Sequence, residues 1–215
     1  MARSLGAGAA ELSGAFPPAR RVWKGEAMST LLEQYDHAVA EFGSRVELVK
    51  DDQWTAPTPC REWDVRALVA HLVDECRWVP YLLGGGTVAD AGDRFSGDPL
   101  GDDPKAAWRA ASVAAREAFA ADRALDRVVS LSAGESGARD YIWDMTVDAT
   151  VHAWDLARGI GADERLDQEL VRRIHHEVEK DADTLSESGQ FDPPVHVPTH
   201  ADLQARMLGI FGRRA

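Results

Sequence analysis

Asp144, Asp148, His152 and Asp155 recur at three- and four-residue steps in the segment DYIWDMTVDATVHAWDLAR. On a helix, at about 100° per residue, all four fall within a sector of roughly 80°. Asp148 and His152 set a carboxylate and an imidazole one turn apart, a spacing that can converge on a single metal ion. The competing reading is a solvated or cleft-lining polar stripe with an intrahelical Asp–His hydrogen bond. On spacing alone the polar stripe is the preferred reading, because the metal signal is a two-residue match without a supporting cysteine pattern. Trp143, Val147, Val151 and Trp154 point away from the stripe, and Tyr141, Ile142, Met145 and Leu156 fill the remaining faces. A helix apolar on most sides is predicted to be buried. Three carboxylates in a buried stripe repel each other and are costly to desolvate, so protonation, an arginine, open water or a bound cation must compensate.

The remaining candidates are weaker on their own. His71 lies in VRALVAHLVDECRWVPYLL, roughly 130° from the middle of the apolar stripe made by Val65, Leu68, Val69, Leu72, Val73 and Cys76. Periodicity makes it a flank or surface position, and a satisfied histidine is the simpler reading. Trp78, one heptad on, shares its side and could cover it. His175 and His176 are adjacent, point about 100° apart and sit among charges, which predicts solvation rather than chelation. His37 has charged neighbours, and His196 and His200 flank Pro198. Cys60 precedes a helix start, where a thiolate is favoured, but a packed loop residue is the preferred reading. No GxSxG or comparable nucleophile setting is present.

The elements that must position these residues are mostly helical. Residues 29–50, 65–83, 104–121, 140–158, 165–185 and 200–212 carry helical periods or helix signals. Thr30 and Glu33 suit a capping box for the first, Asp64 an N-cap for the second, and Asp103-Pro104 an N-cap and N1 pair for the third. Gly159 and Gly161 are read as the stop of the fourth. Residues 127–132 alternate like a short strand that Gly134 and Gly137 could turn into a hairpin ending near Arg139. Residues 84–103 are a Gly/Asp-rich crossover without the setting of a phosphate loop, and the prolines make 188–199 extended. The expected fold is an all-α bundle with a small hairpin and extra C-terminal helices.

Composition narrows the function classes. With 36 acidic against 24 basic side chains the formal charge is −12, which argues against non-specific nucleic-acid binding and against anionic membrane surfaces. No apolar run approaches the ~20 residues of a membrane span, and two cysteines make neither a disulfide scaffold nor a CxxC motif. The expectation is a cytoplasmic protein. Residues 1–27, rich in Ala, Gly, Arg and Pro, show no period and no uninterrupted export signal, so a non-native or flexible extension before a domain starting at Met28 is expected.

Three segments resemble a known family. The run from Trp54 to Leu72 (WTAPTPCREWDVRALVAHL) resembles the second-helix signature of the DinB-like superfamily. It is most similar to that of the N-terminal domain of mycothiol-dependent maleylpyruvate isomerase and its small actinobacterial relatives. Residues 148–158 (DATVHAWDLAR) are similar to the same family's later metal-binding helix, and Ala201–Arg213 to the tail of the short relatives. The resemblance spans residues 28–213. It implies a four-helix bundle holding one divalent metal at one end through His71, Asp148 and His152. The isomerase has glutamate where Asp148 stands, one methylene longer. Asp144 and Asp155 would then be cleft residues or orient a ligand histidine.

The resemblance further implies mycothiol as a cosubstrate, with zinc as the default metal and nickel or iron as alternatives. The implied activity is thiol transfer to a small electrophile, or its isomerisation through reversible thiol addition. A small metal-dependent hydrolase, a non-catalytic metal-binding bundle associated with stress, and a metal-free interaction module are the alternatives. A homodimer is compatible with a bundle of this size.

Overall fold

The computed structural model describes residues 28–61, 63–132, 134–180 and 192–215. The expected N-terminal extension, residues 1–27, lies outside them. Four long helices form the body: α1 (Met28–Leu48), α2 (Val65–Leu83), α3 (Pro104–Ala120) and α4 (Ala138–Ile160). Strands β1 (Val128–Leu131) and β2 (Gly134–Gly137) make an antiparallel hairpin with Val129 opposite Ser136. Two short helices, α5 (Gln168–Val178) and α6 (Leu203–Ile210), follow and pack on each other. No helix among the described residues is long and apolar enough to cross a membrane.

Local chemistry sets the boundaries. The Asp64 carboxylate accepts from Ala67 N at 2.8 Å and opens α2, and Asp103 accepts from Ala106 N at 2.9 Å ahead of Pro104. The fifth helix begins at Gln168 rather than 165, because Asp167 turns its carboxylate onto Glu169 N and Leu170 N. It ends at Val178, and the expected continuation to 185 runs into residues outside the described set. The last helix is shorter than expected, opened by Asp202, whose side chain accepts from Ala205 N. Residues 192–199 carry no regular element, in line with their prolines.

In the body α1 packs on α4 and α3, and α2 on α3 and α4. Phe42 meets Trp108 with ring centroids 4.7 Å apart, and Tyr35 meets Phe119 at 5.2 Å. Burying each such side chain contributes about 1.5–3 kcal/mol. Every residue of α4 from Tyr141 through Ala157 is buried. Its two buried threonine hydroxyls are satisfied within the helix: Thr146 donates to Ile142 O and Thr150 to Thr146 O, each at 2.7 Å. The acidic stripe therefore runs through the interior, as the apolar surroundings in the sequence predict.

Candidate metal centre

α2 and α4 bring the site together. The Asp64 cap fixes the start of α2, and His71 follows nearly two turns on. Asp148 and His152 stand one turn apart on α4. The Asp148 carboxylate lies between the two imidazoles: Oδ1 is 3.3 Å from His152 Nε2, and Oδ2 is 3.4 Å from His71 Nε2. One ligand atom from each residue lies within 4.8 Å of the others. The His71 side chain is 10% exposed, against 4% and 2% for His152 and Asp148, so the approach from solvent is over His71.

The histidine at 71 is thus more covered than its helical position predicts. The reason is Trp63, whose ring sits 4.5 Å from the His71 ring and 5.5 Å from that of His152. Trp63 is carried by a folded loop. The Thr58 hydroxyl donates to Trp63 O at 2.7 Å, Trp63 N donates to Cys60 O, and Val65 N and Arg66 N bond back to Ala56 O and Trp54 O. The loop crosses α4 at Gly159, where a Cβ would come within 3.2–3.4 Å of Thr58, Pro57 and Val65. Gly159 is therefore a close-approach position inside α4 and not its stop; Gly161, in the left-handed region, caps the helix instead.

Asp155 meets His152 from the other side, its Oδ2 2.9 Å from Nδ1. Arg213 from the C-terminal segment grips Asp155, with Nη2 2.8 Å from Oδ2. An ionised carboxylate only accepts, so Nδ1 carries a hydrogen, and whenever the ring is neutral its Nε2 lone pair faces the site. Burial opposes ionisation of Asp148, but the His152 and His71 imidazoles outweigh it and hold the carboxyl well below the usual range. Burial likewise opposes charge on His152. Asp148 and Asp155 overcome that effect and push its pKa up to about 9. Asp155 is depressed in the same way, with burial outweighed by His152 and Arg213.

These residues fit a divalent cation. Asp148 Oδ2 is buried, and no hydrogen bond of good geometry reaches it among the described residues. Two imidazole nitrogens and a carboxylate oxygen suit zinc, nickel or ferrous iron, with positions left for an exogenous ligand. Of the compensations open to the buried stripe, an arginine serves Asp155 and the imidazoles serve Asp148. Asp144 is also buried.

The other candidates lie elsewhere or lack the chemistry. His37, His176, His196 and His200 are exposed. His175, expected to be solvated, is 7% exposed, and that burial pulls its pKa down. It sits on the inner face of α5 beside buried Ile174 and Val171, in an amphipathic period that the charged residues around it obscure. Burial pushes the Cys60 thiol up to about 12 despite nearby Arg213, which removes it as a nucleophile at neutral pH. No sequence pattern marks Trp63 or Arg213 as a site residue. Trp63 lies within the signature run, but nothing local to Arg213 points to a partner 58 residues away.

Comparison with known proteins bears on the family and the fold. The profile of the Mycothiol maleylpyruvate isomerase N-terminal domain matches residues 35–157, which include all three candidate ligands. Uncharacterized proteins from two strains of Mycobacterium tuberculosis, CDC 1551 / Oshkosh and H37Rv, are each 32% identical over 145 residues. The match covers 65% of this chain and 72% of each relative. A crystal structure of a histidine-to-alanine mutant of mycothiol-dependent maleylpyruvate isomerase superposes with a TM-score of 0.56 at 15% identity, over 73% of this chain and 71% of that one. The fold is DinB-like, and the chain belongs to the mycothiol maleylpyruvate isomerase N-terminal domain family.

Proposed function

We propose that the protein is a divalent-metal-dependent enzyme that uses a low-molecular-weight thiol, mycothiol, to transfer sulfur to a small electrophile or to isomerise it. The observation that carries this reading is the convergence of His71, Asp148 and His152, with ligand atoms within 4.8 Å, in a chain of this family. A cation at this point supplies a Lewis acid that brings the pKa of a thiol or water toward neutrality. His71 and His152 would offer Nε2 and Asp148 an oxygen, while Asp155 holds the His152 ring through Nδ1. Trp63 covers the two imidazoles and walls one side of the approach, which keeps bulk water from the carboxylate. Zinc is the default cation for two imidazoles and one carboxylate.

Two measurements test the reading. Elemental analysis of tag-free protein is expected to find about one equivalent of metal in the wild type and a large loss in His152→Ala. Metal-loaded protein incubated with mycothiol and monochlorobimane is expected to form the conjugate only when both thiol and metal are present. Ester or amide hydrolysis without thiol would instead indicate a hydrolase, stoichiometric metal without turnover a non-catalytic metal protein, and absence of metal would overturn the reading.

A further inference from the structure

The C-terminal segment delivers a buried arginine to the back of the site. Arg213 is only 4% exposed, a burial that arginine tolerates when paired. Its Nε lies 3.1 Å from Asp155 Oδ1 and 3.3 Å from Oδ2, and Nη2 lies 2.8 Å from Oδ2. The guanidinium therefore spans both oxygens, while Nη1 donates to Phe211 O at 2.8 Å. Asp155 uses the same Oδ2 to meet His152 Nδ1. A continuous chain of contacts thus runs Arg213, Asp155, His152, Asp148.

The segment is seated by contacts of its own. Val195 N donates to Gly209 O, Gln204 bonds both Leu166 N and Glu164 O, and Arg158 donates to Arg214 O at 2.7 Å. Just before the arginine, Gly212 has φ +78°, and a Cβ there would fall 2.5–2.9 Å from Asp192. Only glycine satisfies both constraints at the turn that precedes Arg213.

We propose that Arg213 is a positioning residue that makes cation binding at His71, Asp148 and His152 depend on the seating of the C-terminal segment. This rests on the metal-centre reading given above. Held on both oxygens, Asp155 does not rotate away from Nδ1, and the His152 ring stays turned with Nε2 toward the site. Coupling is reciprocal: whatever factor Arg213 adds to cation affinity, the bound cation adds to the docking of residues 207–213.

The test uses the full-length, tag-free protein and Zn²⁺ as the probe. Affinity is read by competition with a chromophoric chelator for wild type, Arg213→Ala, Arg213→Lys, Asp155→Asn and the double variant Asp155→Asn with Arg213→Ala, each checked for fold by circular dichroism. Arg213→Ala is expected to weaken binding by about 10–100-fold, the range for groups that orient a ligand, and Arg213→Lys to recover part of it. In the Asp155→Asn background, loss of Arg213 is expected to change affinity by less than about twofold, a non-additivity that a merely structural role does not produce. Hydrogen exchange on the wild type is expected to show Zn²⁺ slowing the amides of residues 207–213.

Equal affinity in a folded Arg213→Ala, or an equal cost with and without Asp155, overturns the proposal while leaving the metal centre intact. If Arg213→Ala does not fold, Zn²⁺-independent exchange at residues 207–213 overturns it instead. Wild type that binds no Zn²⁺ defeats the metal-centre reading itself.

Discussion

His152 has opposite requirements in the two states of the site. In the metal-free protein Asp148 and Asp155 overcome the burial penalty and push its pKa up to about 9, above the ~6.5 of an unfolded histidine. That pairing contributes stability fully below about pH 6.5 and loses it as pH rises through about 9. Urea unfolding of the metal-free protein is expected to show a falling free energy across that window. Cation binding needs the neutral ring, so Zn²⁺ affinity is expected to rise with pH over the same range, with proton release detectable by calorimetry in buffers of different ionisation heat. The two thiols behave otherwise. Burial pushes Cys60 and Cys76 each up to about 12, which leaves roughly one thiolate in ten thousand at pH 8. Iodoacetamide at pH 8 is expected to label neither cysteine in the folded protein and both in urea, as read by mass spectrometry. Rapid labelling of folded Cys60 would contradict this account of its surroundings.

α4 carries two ligands on one turn, so their relative placement is a property of the helix and survives small shifts in packing. His71 is different, because its distance from Asp148 depends on the start of α2 and on the loop that leads into it. Asp64 serves both: its side chain caps α2 at Ala67 N, and its backbone forms a bridge with Pro57. Asp64→Ala is expected to cost about 1 kcal/mol in urea unfolding. It is also expected to weaken Zn²⁺ binding, although residue 64 is not itself a candidate ligand, since the loop that sets Trp63 over His71 starts to fray. An unchanged affinity in this variant would show that α2 is held by its packing on α3 and α4 alone.

At the scale of the molecule, a cation held by His71, Asp148 and His152 would act as a cross-link between α2 and α4, two neighbours in the bundle, with the C-terminal segment fastened behind α4 by Arg213. A ligand that binds only the folded state adds about 2.7 kcal/mol at 100 times its Kd. For a chain of this size 1 kcal/mol moves Tm by about 2–4 °C. Zn²⁺ at that excess is therefore expected to raise Tm by about 5–10 °C, a chelator to reverse it, and His152→Ala to abolish the response. Calorimetric scans with and without chelator check this directly.

The residues themselves determined much of this protein. The stripe of Asp144, Asp148, His152 and Asp155 was legible because helical geometry is local: side chains three and four apart share a face whatever the chain does elsewhere. The caps at Asp64 and Asp103 were legible for the same reason, and the apolar faces of α4 announced its burial. Resemblance of three segments to a known family supplied His71 as the partner of Asp148 and His152, which periodicity alone had set on a flank. Tertiary structure decided the rest. Only the path of the 54–64 loop lays Trp63 over both imidazoles, only the packing of α2 on α4 closes His71 to 3.4 Å from Asp148, and only the turn at Gly212 delivers Arg213 to Asp155. Each of these joins residues far apart in the chain, and such contacts are set by how buried surfaces fit together, which no local pattern encodes.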